Sequence, residues 1–336
     1  MSPAHPETWP VLVAKDTLEP QLYRDFKDLA AAAEESDGNP PLSEQTLLTL
    51  RPGALPSGGP GYAGSGDIAG HSVLALALYA VDDDSRPSSA QDLAGLAVVI
   101  EEGDGSGVLE VAVHPSYRNQ GVADRLIRTL ESERGFTGLT AWSHGNHEAA
   151  AALAVRYGYR PVRELWKMRL TTATAELPEA PMPDRVALRA FVPGQDEGAW
   201  LAANRAAFSH HHEQGNLTRA DLEARMAEDW FDPAGFLLAE DPTGKLLGFH
   251  WTKIHPRSGK HPAMGEVYVV GVTPEAQGMG LGKALTVAGI RYLQEKGLHA
   301  VMLYTDADNL PAVSLYRRLG FSRWDVDVMY GPVPPA

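Results

Sequence analysis

Val270-Gly271-Val272-Thr273-Pro274-Glu275-Ala276-Gln277-Gly278-Met279-Gly280-Leu281-Gly282-Lys283 is the stretch that decides the fold. It reads as an apolar strand, a turn marked by proline, and glycines opening a helix. Such a strand-turn-helix aims several backbone N–H groups at one anion, and the helix dipole adds to the attraction. Glycine serves where φ is positive or where a phosphate must approach the backbone closely. The pattern also stands earlier, as Val111-Ala112-Val113-His114-Pro115-Ser116-Tyr117-Arg118-Asn119-Gln120-Gly121-Val122-Ala123-Asp124. The two prolines lie 274 − 115 = 159 positions apart, and Gln277 and Arg118 differ by the same 277 − 118 = 159. Both copies close on a glycine–aromatic pair, Gly158-Tyr159 and Gly320-Phe321, 320 − 158 = 162 apart. A repeat of about 160 residues describes two copies of one domain and not a solenoid of short units.

Around the second copy, the spacing predicts helices over 196–208 and 218–230 and strands over 235–240 and 246–254, with a turn at Asp241-Pro242-Thr243-Gly244. A β-branched strand follows over 266–272. Leu285, Val287, Ile290 and Leu293 then mark a helix that Gly297 stops. A strand over 300–304 and a helix over 309–319 complete the order. The first half repeats its end, with a helix over 122–133, a strand over 139–142 and a helix over 147–156. Segments 51–70 and 82–92 read as turn-rich loops, and 171–184, with three prolines and no periodicity, as the linker. The expected division is therefore 1–170, linker 171–184, and 185–336.

With 336 residues, two domains that each bury a core fit the length. Charge is 29 − 43 = −14, which argues against nucleic acid or an anionic membrane as partner and tolerates a cationic substrate. No cysteine is present, so disulfides, thiol catalysis and thiolate metal sites are excluded. No basic-then-apolar leader is visible at the start, and the apolar runs are too short to span a bilayer. A cytoplasmic, monomeric protein is the expectation.

The glycine spacing suits neither a P-loop nor the dinucleotide fingerprint. Arg/Gln-x-x-Gly-x-Gly/Ala resembles the pyrophosphate motif of the GNAT acetyltransferase superfamily. Asn309-Leu310-Pro311-Ala312-Val313-Ser314-Leu315-Tyr316-Arg317-Arg318-Leu319-Gly320-Phe321 looks like that superfamily's C-terminal signature. The resemblance covers both halves. It implies an α/β (α+β) fold of two tandem GNAT domains, each a mixed central sheet flanked by helices. It also implies acetyl-CoA as co-substrate, without a metal. Cofactor contacts would fall on Val270, Gly271, Val272, the segment Gln277 to Lys283, and Asn309, Leu310, Pro311, Ala312, Val313 and Ser314. The first copy offers Val111, Ala112, Val113 and the segment Arg118 to Asp124. Whether that half holds acetyl-CoA stays open.

Four longer segments, His212-Glu213-Gln214-Gly215, Trp230-Phe231-Asp232-Pro233, 247–253 and Gly265-Glu266-Val267-Tyr268-Val269, resemble the mycothiol synthase family of tandem GNAT enzymes. These acetylate the cysteinyl amine of a cysteine–glucosamine–inositol conjugate. The resemblance implies substrate contacts at Glu44, Glu213, Lys253, Glu266 and Tyr304. Glu44 fits a capping box or a plain helix surface equally well.

Acetyl transfer needs a neutral amine, because an ammonium has no lone pair. A cysteinyl α-amine has a pKa of about 8, so a modest base suffices, directly or through water. Glu266 is the candidate base. Tyr316 stands where GNAT enzymes place the acid for the departing sulfur, and the N–H near Val272 would support the oxyanion. With the offset of 159, Glu266 aligns with Gly107 (266 − 159); with 162, Tyr316 aligns with Ala154 (316 − 162). The first copy thus has the cradle but neither proton-transfer group, which makes the second half the expected catalyst. Adjacent His210, His211 and His212 cannot all face one ion, and the reading there is a substrate-covering loop. Trp251 and Trp142 read as packing residues. Another amine substrate (an aminoglycoside, an amino acid or a protein N-terminus) or a non-catalytic acyl-CoA sensor are the competing readings.

Overall fold

The computed structural model describes residues 6–52, 72–81, 92–101, 104–172, 176–209, 212–257 and 262–333. Most of the loops expected at 51–70 and 82–92, linker residues 173–175, and His210 and His211 lie outside them. The chain forms two compact units. One is Met1–Glu164 together with Val326–Ala336, and the other is Leu165–Asp325.

The first unit runs β1 (Val11–Lys15), α1 (Pro20–Asp37), α2 (Glu44–Thr49), β2 (Ser72–Tyr79), β3 (Leu93–Glu101), β4 (Gly107–Val113), α3 (Val122–Glu133), β5 (Leu139–Ser143) and α4 (Glu148–Arg156). Proline at its first turn starts α1, and Gly38, at φ 77°, ends it by donating its N–H to Glu34. Both β2 and β3 are apolar without alternation because the sheet is covered on both faces. Val73, Ala75 and Ala77 pack with Leu22, Phe26 and Leu29 of α1. Leu74, Leu76 and Leu78 pack with Leu126 and Leu130 of α3. Strands β4 and β5 are parallel, which requires the helical crossover through α3.

After β6 (Tyr159–Thr171), the second unit repeats the plan. It has β7 (Ala187–Ala190), α5 (Glu197–Ala207), α6 (His212–Gly215), α7 (Arg219–Met226), β8 (Phe236–Glu240), β9 (Leu246–His255), β10 (Met264–Val272), α8 (Leu281–Glu295), β11 (Ala300–Asp306), α9 (Leu310–Arg318) and then β12 (Ser322–Pro332). Trp200, Phe236, Phe249 and Trp251 pack one face of its sheet. Trp251 stacks on Phe236 at 4.4 Å, a packing role as its sequence context predicts. Val287, Ile290 and Leu293 of α8 pack the other face.

Strand order in the first unit is β1-β2-β3-β4-β5-β12, and in the second β7-β8-β9-β10-β11-β6. The sixth place in each sheet is therefore filled by a strand from the other sequence repeat. Val328, Met329 and Tyr330 pair with Ser143, Trp142 and Ala141. Leu165 to Thr171 pair with Asp306 to Ala300. This grouping differs from the expected boundaries at 170 and 185: residues 165–170 belong to the second unit and 326–336 to the first. Local pattern announces a strand, but the partner edge is a non-local choice that alternation does not encode.

The exchange has a measurable consequence. Ending the chain after Asp325 should deprotect the amides of Ala141, Trp142 and Ser143 in hydrogen exchange, about 185 positions upstream of the deletion, while β8 and β9 stay protected.

Candidate active site

Strands β10 and β11 share a parallel ladder only at Gly265–Val301, Glu266–Met302 and Val267–Leu303. Beyond it β10 continues to Val272, paired on its other edge with β9, and β11 continues to Asp306, paired with β6. The strands part, and the inner edge of Val269 to Val272 turns its backbone groups to the cleft. A bulge contributes: Val267 opposes Thr252 and Val269 opposes Trp251, which leaves Tyr268 as the extra residue. A bulge bends its strand and re-aims side chains.

Residues opposite each other across a ladder project to one face. Glu266 is opposite Lys253 on β9 and Met302 on β11, and Tyr304, two residues past Met302, is opposite Lys167 on β6. Register therefore gathers Lys253, Glu266, Tyr304 and Lys167 on one face. Val267 goes to the other, packed with Val287 and Ile290 of α8. Glu266 is buried at 6% exposure, a central-strand residue and not a solvated edge one. Its Oε2 lies 2.6 Å from Nε2 of His255. Lys253 Nζ sits 4.5 Å from the Trp230 ring and 5.1 Å from the Tyr268 ring. Lys167 Nζ, itself buried, sits 5.7 Å from Tyr304 and 4.9 Å from Trp324. Burial pushes the Glu266 carboxyl up, but the His255 hydrogen bond and the charges of His255, Lys253 and Lys167 outweigh it, holding the group below the usual carboxylate range.

The glycine segment opens α8. Gly278 and Gly280 take φ of 82° and 81°, and a Cβ at either would meet nothing within 4 Å. Both backbone and free space suit an anion at this helix start. Gln277 and Met279 are exposed there, and Lys283 Nζ is 3.5 Å from the Glu179 carbonyl. Leu281 is core, so any ligand contact it makes is through backbone. A Cβ on Gly282 would touch only Val272, at 3.6 Å. Asn309 caps α9 by accepting from Ala312 N–H. Leu310, Val313 and Ser314 line a cavity of about 460 Å³ with Arg317 and Arg318. Tyr316 is buried edge-on against Phe321, and burial pushes its hydroxyl up to about 12. It is the protonated, donating form at neutral pH.

The first unit shows the same parting, with β4 and β5 paired only at Gly107–Leu139, Val108–Thr140 and Leu109–Ala141. Asn119 and Gly121 take positive φ, 61° and 88°, as Gly278 and Gly280 do in the other copy. Three features differ. The β3–β4 register is continuous, without a bulge. Arg118 is held by Asp37 through two hydrogen bonds of 2.6 and 2.7 Å. At the first turn of α3 stands Asp124, paired with Arg156, in the place of Lys283 (283 − 159 = 124). An acidic group there opposes a phosphate that the lysine would attract. Between the parted strands, His144 bridges Glu110 at 2.9 Å and Asp327 at 3.0 Å, all three buried or nearly so. Burial pushes this imidazole down, but the two carboxylates overcome it and raise it to about 9, so it is an imidazolium.

The bulge also amends the repeat alignment. Gly265 and Gly107 occupy the same rung, an offset of 265 − 107 = 158, whereas Val272 and Val113 keep 272 − 113 = 159. Glu266 thus corresponds to Val108 (266 − 158) and not to Gly107. The lack of a carboxylate there is unchanged. Helices α4 and α9 keep the offset 310 − 148 = 162, so Tyr316 does stand where Ala154 does.

Glu44 is the first residue of α2 in the first unit, where Ser43 caps the helix by accepting from Thr46 N–H. With Thr at the third helical position, no capping box forms. Glu213 lies in α6, with its side chain outside the described set. Two residues of the cluster were not anticipated. His255 was reachable, being two positions past Lys253 on one strand. Lys167 was not, because it lies at the end of the first repeat and joins the second unit by strand exchange.

Family models match both halves: "Acetyltransferase (GNAT) domain" over 76–161 and "Acetyltransferase (GNAT) family" over 200–321. The chain belongs to the GNAT family of acetyltransferases. It is 74% identical, over 99% of both chains, to a protein named mycothiol acetyltransferase from Arthrobacter sp. (strain FB24). It is 72% identical, again over 99% of both, to the protein of that name from Pseudarthrobacter chlorophenolicus. Among solved structures it resembles a tandem GNAT protein from the clavulanic acid biosynthesis pathway (TM-score 0.65, 18% identity, 96% of this chain and 100% of that one). A GCN5-related N-acetyltransferase from Sphaerobacter thermophilus is also similar (TM-score 0.62, 24% identity, 96% of each).

The shared positive φ makes a prediction independent of ligand. Gly280→Ala and Gly121→Ala should each destabilise the fold by about 1 kcal/mol, measured by urea unfolding, because an L side chain is strained there.

Proposed function

We propose that the chain transfers the acetyl group of acetyl-CoA to the cysteinyl amine of the cysteine–glucosamine–inositol conjugate (desacetylmycothiol), giving mycothiol and CoA, with the chemistry in the second unit. The observation that carries this reading is Glu266, a buried carboxylate on the same sheet face as Lys253, Lys167 and Tyr304. The name that the two relatives above share supports the substrate.

Acetyl-CoA supplies the thioester carbonyl. Backbone N–H groups and side chains from Gln277 to Lys283 hold its diphosphate, and the open edge of Val270 to Val272 pairs with its amides as another strand would. Lys253 and Lys167 raise the local potential, which disfavours an ammonium and favours the neutral amine. A carboxylate held below its ordinary pKa is a weak base, so Glu266 does not strip a resting ammonium. It takes the proton that the nitrogen sheds as the N–C bond forms, directly or through a water. Attack moves the carbonyl electrons onto oxygen, where the N–H near Val272 supports the oxyanion; its collapse breaks the C–S bond, and Tyr316 donates a hydrogen bond to the departing sulfur. With a pKa of about 12 against roughly 8.5 for a thiol, full transfer is uphill, so this contribution is modest. Lys253 and Tyr304 bind the polar groups of the conjugate. The first unit is non-catalytic: its cradle carries Asp124, and Arg118 is committed to Asp37.

Thiol release from acetyl-CoA against a panel of amines tests this. The cysteinyl conjugate should be the preferred acceptor. Glu266→Gln should lower kcat by about 10²-fold or more, and Tyr316→Phe by about tenfold. Lys253→Ala should raise KM for the conjugate while leaving KM for acetyl-CoA near its original value. Gly280→Glu should abolish turnover and Gly121→Glu should not; comparable losses would remove the assignment of chemistry to the second unit.

A further inference from the structure

We propose that His255 is a positioning residue for this reaction: its imidazole holds Oε2 of Glu266 and thereby leaves Oε1 as the oxygen that takes the proton from the amine. The inference rests on Glu266 being the base.

Geometry comes first. His255 ends β9 opposite Met264, and Lys253, two residues earlier, is opposite Glu266. Alternation puts both β9 side chains on the Glu266 face. The Nε2 to Oε2 distance is 2.6 Å. Two lone pairs facing each other at that distance would repel, so a proton lies between them, and with an ionised carboxylate it is the imidazole that donates. The side chain of His255 is 36% exposed and that of Glu266 is 8%. The contact therefore joins a group that water reaches to one from which water is mostly shut out.

Other cations stand on the same face as Glu266. Lys253 on β9 and Lys167 on β6 carry their ammonium groups against aromatic faces, those of Trp230 and Tyr268 and those of Tyr304 and Trp324. Arg169, on the same face of β6, lies 5.2 Å from the Trp324 ring. The lysine charges add to the potential at Glu266, and His255 adds an oriented bond to Oε2. Among the influences that offset burial of Glu266, the hydrogen bond from His255 comes first and its charge second. Removing the imidazole should therefore let burial dominate and raise the carboxyl, and it should also free the carboxylate to rotate away from the nucleophile.

Two variants separate these effects from a plain loss of packing. His255→Gln keeps a neutral N–H donor at about the same reach, and His255→Leu keeps bulk without the donor. The first readout is the titration of Glu266 by ¹³C NMR on glutamate-labelled protein without ligand, its resonance assigned from the missing signal in Glu266→Gln. The second is kcat at saturating acetyl-CoA. In His255→Leu the carboxyl midpoint should rise by about one unit. Its kcat should fall about tenfold, with KM for acetyl-CoA unchanged. His255→Gln should hold the midpoint near that of the wild type and recover most of the lost turnover. A midpoint in His255→Leu equal to that of the wild type, or a glutamine variant no better than the leucine one, overturns the role of His255. Loss of activity in Glu266→Gln beside an unaltered His255→Leu overturns that role alone and leaves the base in place. Full turnover in Glu266→Gln removes the base and this inference together.

Discussion

Two neighbouring parallel strands that stop sharing hydrogen bonds partway along their length are the constraint on which the rest depends. After Val267 and Leu303 the ladder between β10 and β11 ends, although both strands go on and stay paired on their outer edges. Backbone N–H and C=O groups left on an inner edge need partners, and an extended amide-bearing chain provides them in the way a strand does. The bulge at Tyr268 sits where the parting begins and the glycine turn at the far end of β10. One edge thus lines up the buried carboxylate of Glu266, a run of open backbone, and a glycine-opened helix start.

Electrostatics at the closed end follows from register. Glu266 would be an expensive residue to bury by itself. Lys253, directly opposite, His255, on the diagonal, and Lys167, two strands away, compensate it with opposite charge and one short hydrogen bond. That arrangement keeps the carboxylate ionised and disfavours a further cation at the same place. The first unit solves a similar burial problem differently, by sandwiching the imidazolium of His144 between Glu110 and Asp327. A common backbone plan has thus been filled with opposite charge logic in the two repeats.

Much of this was legible in the chain. The helix over 281–295, the strands at 236–240 and 246–255, and the paired cradles stood out because apolar periodicity, glycines with positive φ and proline-marked turns are local signals. The candidate base was legible only through family resemblance, since an isolated glutamate near a strand start carries no local sign of burial. His255 escaped notice although its spacing from Lys253 was visible. A bond to Glu266 depends on which strand lies alongside and in what register. The repeat offset changed by one between Gly265 and Val272 for the same kind of reason, a bulge that no residue type announces.

By itself the sequence determined that there are two GNAT repeats, each with a glycine-opened helix after an apolar strand, and that only the second has a glutamate and a tyrosine at the two candidate proton-transfer positions. Those features depend on neighbours within a few turns of chain, where sterics and hydrophobic spacing act directly. Tertiary structure alone decided that β12 completes the first sheet and β6 the second, that Lys167 comes to the Glu266 face, and that Arg118 is spent on Asp37. Such outcomes depend on pairing between residues up to 330 − 141 = 189 positions apart, and free energy there is settled by which edges and charges meet in space.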